Sequence, residues 1–137
     1  MVSQFSYYRC GVMARGRVLL LEDDLALRSL LCEALAGEGF DVRPCETFAE
    51  MRHAAAQRAG DLVVADFWGD SQRTLPDGER QEIHELCSFL PVVLLTGRTW
   101  AAEISAQELG ARALIRKPFD LDHLLDTVEH ALLETQA

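Results

Sequence analysis

The residues able to do chemistry in this chain stand where apolar runs stop. Glu22, Asp23 and Asp24 follow the run Val18 to Leu21, Asp66 closes "LVVAD", Thr96 closes "VVLLT", and Lys117 closes "ALIRK". Adjacent carboxylates repel one another and are costly to desolvate together, so their crowding calls for a cation. Hard oxygen ligands suit Mg²⁺, which takes one or two carboxylates plus substrate phosphate more readily than an all-protein cage. An aspartate at the same metal is a nucleophile toward phosphorus. An ammonium such as that of Lys117 pairs with phosphoryl oxygens as a point charge, and a hydroxyl such as that of Thr96 donates a hydrogen bond to one of them. Together these are the parts that phosphoryl transfer requires. Singly, each residue has a plainer explanation: Asp66 as a turn residue, Thr96 as a β-branched strand residue, Lys117 as a snorkelling surface lysine.

The elements between these residues decide whether they can meet. The apolar run ending at Leu21 predicts a strand, and Leu27, Leu30, Leu31, Ala34 and Leu35 recur at helical spacing before Gly37 and Gly39 supply a stop. "FDVRPC" (Phe40 to Cys45) predicts a second strand, and Thr47 with Glu50 forms a capping-box pattern opening a helix through to Gly60. "LVVAD" is a third strand, residues 67–78 are a turn-rich loop, and a modest, short helix runs from about Glu79 to Cys87. A fourth strand "VVLLT", a helix from about Ala101 ending at Gly110, and a fifth strand "ALIRK" follow. Asp120 caps a final helix carrying Leu121, Leu124, Leu125, Val128 and Leu132 on one face. Apolar strands separated by helices predict a doubly wound α/β domain, a parallel sheet with helices on both faces. Ligands in such sheets bind at the carboxyl ends of the strands, where the chain order reverses, and those are the ends that carry the acids, Thr96 and Lys117. His53, His84, His123 and His130 fall in helical segments away from the strand ends and are read as surface or boundary residues.

Composition narrows the function classes. A chain of 137 residues with 13 Lys+Arg against 22 Asp+Glu carries a formal charge of −9, which argues against nucleic acid or an anionic membrane as a direct partner. The four cysteines, Cys10, Cys32, Cys45 and Cys87, form no metal-ligand spacing and read as reduced thiols of a cytoplasmic protein. No stretch approaches the roughly 18 apolar residues of a membrane span, and the first sixteen residues lack the apolar core of a secretion signal. Residues 1–16 are read as a flexible N-terminal extension, or as a leader preceding a true start at Met13, with docking by Phe5, Tyr7 and Tyr8 as the alternative.

The acid pair in "LLLEDD", the strand-end aspartate of "LVVAD", the hydroxyl in "VVLLTG" and the Lys-Pro dipeptide of "RKPFD" occur in the order found in a known family. The chain from residue 17 to about 134 resembles the receiver domains of bacterial two-component response regulators. The resemblance implies a flavodoxin-like sheet of strand order 2-1-3-4-5, with residues 17–137 as the receiver domain. It implies that Asp66 accepts a phosphoryl group from a sensor histidine kinase or phosphotransfer protein. Glu22, Asp23 and Asp66, with the backbone carbonyl of Trp68, would hold Mg²⁺; Lys117 would contact the phosphoryl group; Thr96 would shift to bond it. The Lys117–Pro118 peptide would be cis. Asp24 matches no position the family requires and is read as a helix N-cap.

The implied function is a stand-alone or excised phosphoacceptor switch, taking part only in its own phosphorylation and dephosphorylation. It would signal through changed binding to a downstream protein effector at the face of the fourth helix, fifth strand and fifth helix. Trp68 and Arg98 are bulky neighbours of the site expected to exclude water and slow loss of the phosphoryl group. Leu114 stands where family members carry an aromatic, which supports the alternative of a phosphorylation-independent pseudo-receiver. A metal-dependent phosphohydrolase is a third reading, and the absence of a second aspartate in "DFW" argues against it.

Overall fold

A computed structural model describes residues 15–66, 77–97 and 105–136. The strands are β1 (Gly16–Leu21), β2 (Phe40–Cys45), β3 (Leu62–Asp66), β4 (Val92–Thr96) and β5 (Ala113–Arg116). The helices are α1 (Leu25–Gly37), α2 (Phe48–Ala56), α3 (Asp77–Phe89), α4 (Ala106–Leu109) and α5 (Leu121–Gln136). All strand pairings are parallel, and the five-stranded sheet has the order β2-β1-β3-β4-β5, as expected. Side chains alternate across each strand. Leu19, Leu21, Val63, Ala65, Val92 and Leu94 face one layer, packing with residues of α2, α3 and α4 such as Met51, Ile83, Leu86 and Leu109. Leu20, Val64, Val93 and Leu95 face the other, against Leu31, Leu35, Leu124 and Val128 of α1 and α5. Two buried faces explain why β3 and β4 read as continuous apolar runs, while the edge strand β2 alternates.

The register brings the strand ends together. Leu21 lies beside Ala65, and Asp66 beside Leu95. The Lys117 N–H donates to the Thr96 carbonyl at 2.8 Å, extending the β4–β5 pairing to the residue that matters. Order reversal between β1 and β3 opens the crevice at their carboxyl ends. Gly39 ends the turn after α1 at φ +101°, and Gly110 closes α4 in the left-handed conformation at φ +79°; both are backbone states that side chains disfavour.

Several local expectations are corrected. Leu30, one of the apolar residues recurring at helical spacing in α1, is 50% exposed, and Cys32 is buried there with Leu31 and Leu35. The second helix stops at Ala56, not Gly60, and the chain beyond it turns through Arg58 at φ 52°. Its capping box is opened out: Thr47 Oγ1 accepts from the Glu50 N–H, while Glu50 Oε2 accepts from Glu46. The third helix is not short but 13 residues long, beginning at Asp77. The complete capping box lies at Ser105 and Glu108, which anchors α4. Residues 1–14, with Phe5, Tyr7, Tyr8 and Cys10, most of the loop 67–78 and the start of the fourth helix at Ala101 lie outside the described residues. Among the described residues no helix is long and apolar enough to cross a membrane.

The inward and outward leucines of α1 should separate cleanly in stability. Urea unfolding is expected to show Leu31→Ala costing about 2–5 kcal/mol and Leu30→Ala less than about 1 kcal/mol; similar losses at both positions would contradict this orientation of α1.

Candidate functional site

Glu22 directly follows β1 with its side chain fully buried, while the neighbouring Asp23 is exposed at the mouth of the crevice. Asp66 closes β3 with its side chain 8% exposed. Lys117 follows β5 and sends its ammonium between the two: Nζ lies 2.7 Å from Asp66 Oδ2, 3.1 Å from Glu22 Oε2 and 3.4 Å from Glu22 Oε1. Carboxylate oxygens of Glu22, Asp23 and Asp66 all lie within 4.8 Å of one another. Thr96 is buried at the end of β4 and tied to Lys117 through the backbone. The Lys117–Pro118 peptide is cis. Beside it, Leu27, Leu30, Leu31, Phe119 and Leu121 line an apolar hollow of about 450 Å³ that opens next to Lys117.

One ammonium serves two carboxylates unequally. Burial alone would lower the pKa of Lys117, but its bonds to Asp66 and Glu22 outweigh burial and raise it. Asp66 is the nearer partner. Glu22 is left with burial first and the Asp66 charge second, and the two push its carboxyl up to about 7 against the opposing pull of the Asp24 N–H and Lys117. Three hard oxygen donors converging on one point, with an ammonium already recruited to neutralise two of them, form a set that fits a divalent cation.

Four of the residues singled out in the sequence therefore meet: Glu22, Asp23, Asp66 and Lys117. Trp68 and Arg98 lie outside the described residues. The four histidines are exposed on helices, away from the crevice. Asp24 is the N-cap of α1, as read, accepting from the Ala26 and Leu27 N–H groups. The sequence reading missed its second contact, the Asp24 N–H donating to Glu22 Oε1 at 3.2 Å. A backbone donor carries no residue-type signal, so only the tightness of the turn could have suggested it.

The response regulator receiver domain family matches residues 18–129. The chain belongs to this family. It is 32% identical over 127 residues to the DNA-binding transcriptional regulator NtrC of Bradyrhizobium sp. (strain RP501 Parasponia), a match covering 89% of this chain and 25% of that protein. The chain thus spans about a quarter of the length of the NtrC relatives it matches. Among solved structures, the non-phosphorylated HemR receiver domain from Leptospira biflexa is 30% identical with a TM-score of 0.65, over 86% of this chain and 94% of that one. The CheY-like receiver domain protein from Methanospirillum hungatei JF-1 shares the fold at a TM-score of 0.70 and 22% identity, over 88% of this chain and 95% of that one. Receiver domains are in general phosphoacceptor switches that bind Mg²⁺ in an acidic pocket and interact with histidine kinases or phosphotransfer proteins and with effectors.

The raised Glu22 carboxyl has a consequence for stability. The folded receiver domain holds a proton there that the unfolded chain releases near pH 4.5, so without metal its stability should fall as pH rises from 4.5 to about 7. Urea unfolding in EDTA is expected to show a Glu22-dependent loss on the order of 1–3 kcal/mol across that window. Glu22→Gln should remove this part of the slope; an unchanged slope in the variant would contradict the assignment.

Proposed function

We propose that this receiver domain takes a phosphoryl group on Asp66 from the phosphohistidine of a sensor histidine kinase or phosphotransfer protein, in a reaction that depends on Mg²⁺. The observation that carries this reading is the ammonium of Lys117 held 2.7 Å from Asp66 within a cluster of three carboxylates. An Asp66 carboxylate oxygen attacks phosphorus, an O–P bond forms, the P–N bond of the donor breaks, and its electron pair leaves with the imidazole. Glu22, Asp23 and Asp66, with the Trp68 carbonyl, would hold Mg²⁺, which when bound supplies neutralisation of the charge crowded at the phosphoryl oxygens. Lys117 is poised to transfer its hydrogen bond from the Asp66 carboxylate to a phosphoryl oxygen. Thr96 then supplies a hydroxyl to another. The protein is in this reading a switch and not a catalyst acting on other molecules.

The apolar hollow beside Lys117 opens at the phosphoryl site and suits the docking of the phosphodonor protein. The phosphoryl group changes affinity for a protein effector through the face of α4, β5 and α5, by shifting the population of two conformers. Because the chain spans a quarter of its NtrC relatives, that effector is either a separate protein or a further domain of the same polypeptide. Leu114 is half-buried against the α2–α4 layer, and this compact side chain supports the pseudo-receiver as the second reading.

Intact mass after incubation with acetyl phosphate and Mg²⁺ separates the two. A single phosphoryl adduct is expected in the wild type, lost in Asp66→Ala and suppressed by EDTA. A folded wild type that acquires no adduct, or an adduct that survives Asp66→Ala, would contradict the phosphoacceptor assignment.

A further inference from the structure

Glu22 is the acid with the least freedom and the greatest electrostatic cost in the cluster: its side chain is fully buried and its pairing with Lys117 is shared with Asp66. A buried carboxylate at a metal site needs a donor that fixes its orientation, because an unoriented carboxylate must be reordered each time the cation binds. The Asp24 N–H, at 3.2 Å from Glu22 Oε1, is such a donor.

What aims that N–H is the side chain of the same residue. Asp24 Oδ1 accepts from Ala26 N–H at 3.0 Å and from Leu27 N–H at 3.1 Å, and the Asp24 carbonyl accepts from Arg28 N–H at 2.8 Å. These three bonds lock the Asp24 peptide to the first turn of α1 with φ −76° and ψ 112°. The side chain points along the helix while the N–H points back at Glu22, so one residue joins the helix start to the acid cluster. From this geometry we infer that Asp24 is a positioning residue for Mg²⁺: its cap on α1 holds the backbone donor that orients Glu22.

The inference rests on the metal reading of the site given above. It goes beyond that reading because Asp24 contributes no ligand atom, and its own charge is not what it supplies. Loss of the cap by Asp24→Ala frees the turn, and Glu22 retains Lys117 as its partner but loses the fixed N–H. Asp24→Asn removes the same charge yet keeps an oxygen acceptor for the two helix N–H groups.

The test is the Mg²⁺ dissociation constant, measured by calorimetry with Mg²⁺ alone, for the wild type, Asp24→Ala, Asp24→Asn and Thr47→Ala. Thr47 caps α2 through the Glu50 N–H and serves as a control for the general effect of losing a cap, with urea unfolding run on all four proteins. Asp24→Ala should bind Mg²⁺ about tenfold more weakly than Asp24→Asn, while Thr47→Ala binds as the wild type does. Equal affinities for the two Asp24 variants, or a loss in Thr47→Ala matching that in Asp24→Ala, would overturn the inference and leave the metal reading intact. A folded wild type that does not bind Mg²⁺ would overturn the metal reading, and this inference with it.

Discussion

The ammonium of Lys117 lodged between Asp66 and Glu22 is the interaction on which the crevice depends. At an effective dielectric of about 20, two opposite charges about 4 Å apart attract by about 4 kcal/mol, and Lys117 Nζ lies closer than that to both acids. That attraction is offset by the loss of hydration of Glu22 and Asp66, which are almost entirely buried, and by the partial loss at Lys117, which stays about a quarter exposed. Removing the cation would leave two acids facing each other out of water, the more costly of the alternatives. In the proposed function, the charge that compensates the carboxylates is the same one that would compensate an incoming phosphoryl group.

The fold delivers these groups by making everything beneath them uniform. Five parallel strands covered on both faces place their carboxyl ends along one edge of the sheet, and the β1–β3 reversal opens that edge to solvent. Because the strand interiors are close-packed, they cannot yield to relieve repulsion at their ends. Positions fixed by register therefore oblige Glu22 and Asp66 to share a cation. The turn at Asp24 adds a local constraint, since it serves α1 and the acid cluster through the same peptide.

The sheet was legible in the sequence because two-sided burial makes β3, β4 and the end of β1 uninterrupted β-branched or leucine-rich runs closed by a polar residue, while the edge strand β2 alternates. The acids, Thr96 and Lys117 were legible for the same reason, as the residues that close those runs. Helix margins were less so. Leu30 matches the helical period yet sits at the edge of the buried arc, where a rotation of one residue exchanges it with Cys32. The start of α3 at Asp77 was hidden by the turn-forming residues of "LPDG", whose Asp and Gly also suit a first helical turn. Which carboxylate carries the raised pKa could not be read from residue types at all. It follows from three-dimensional burial and from how closely Lys117 approaches each acid.

The most direct test of this electrostatic account is thermal unfolding of the wild type and Lys117→Met, each with and without Mg²⁺. If Lys117 and the cation relieve the same carboxylate repulsion, the metal-free variant unfolds at a lower temperature, by about 2–4 kcal/mol of stability, and Mg²⁺ raises its melting temperature more than it raises that of the wild type. Equal stability of the two metal-free proteins, or an equal response to Mg²⁺, would contradict the claim that Lys117 holds the acidic crevice together.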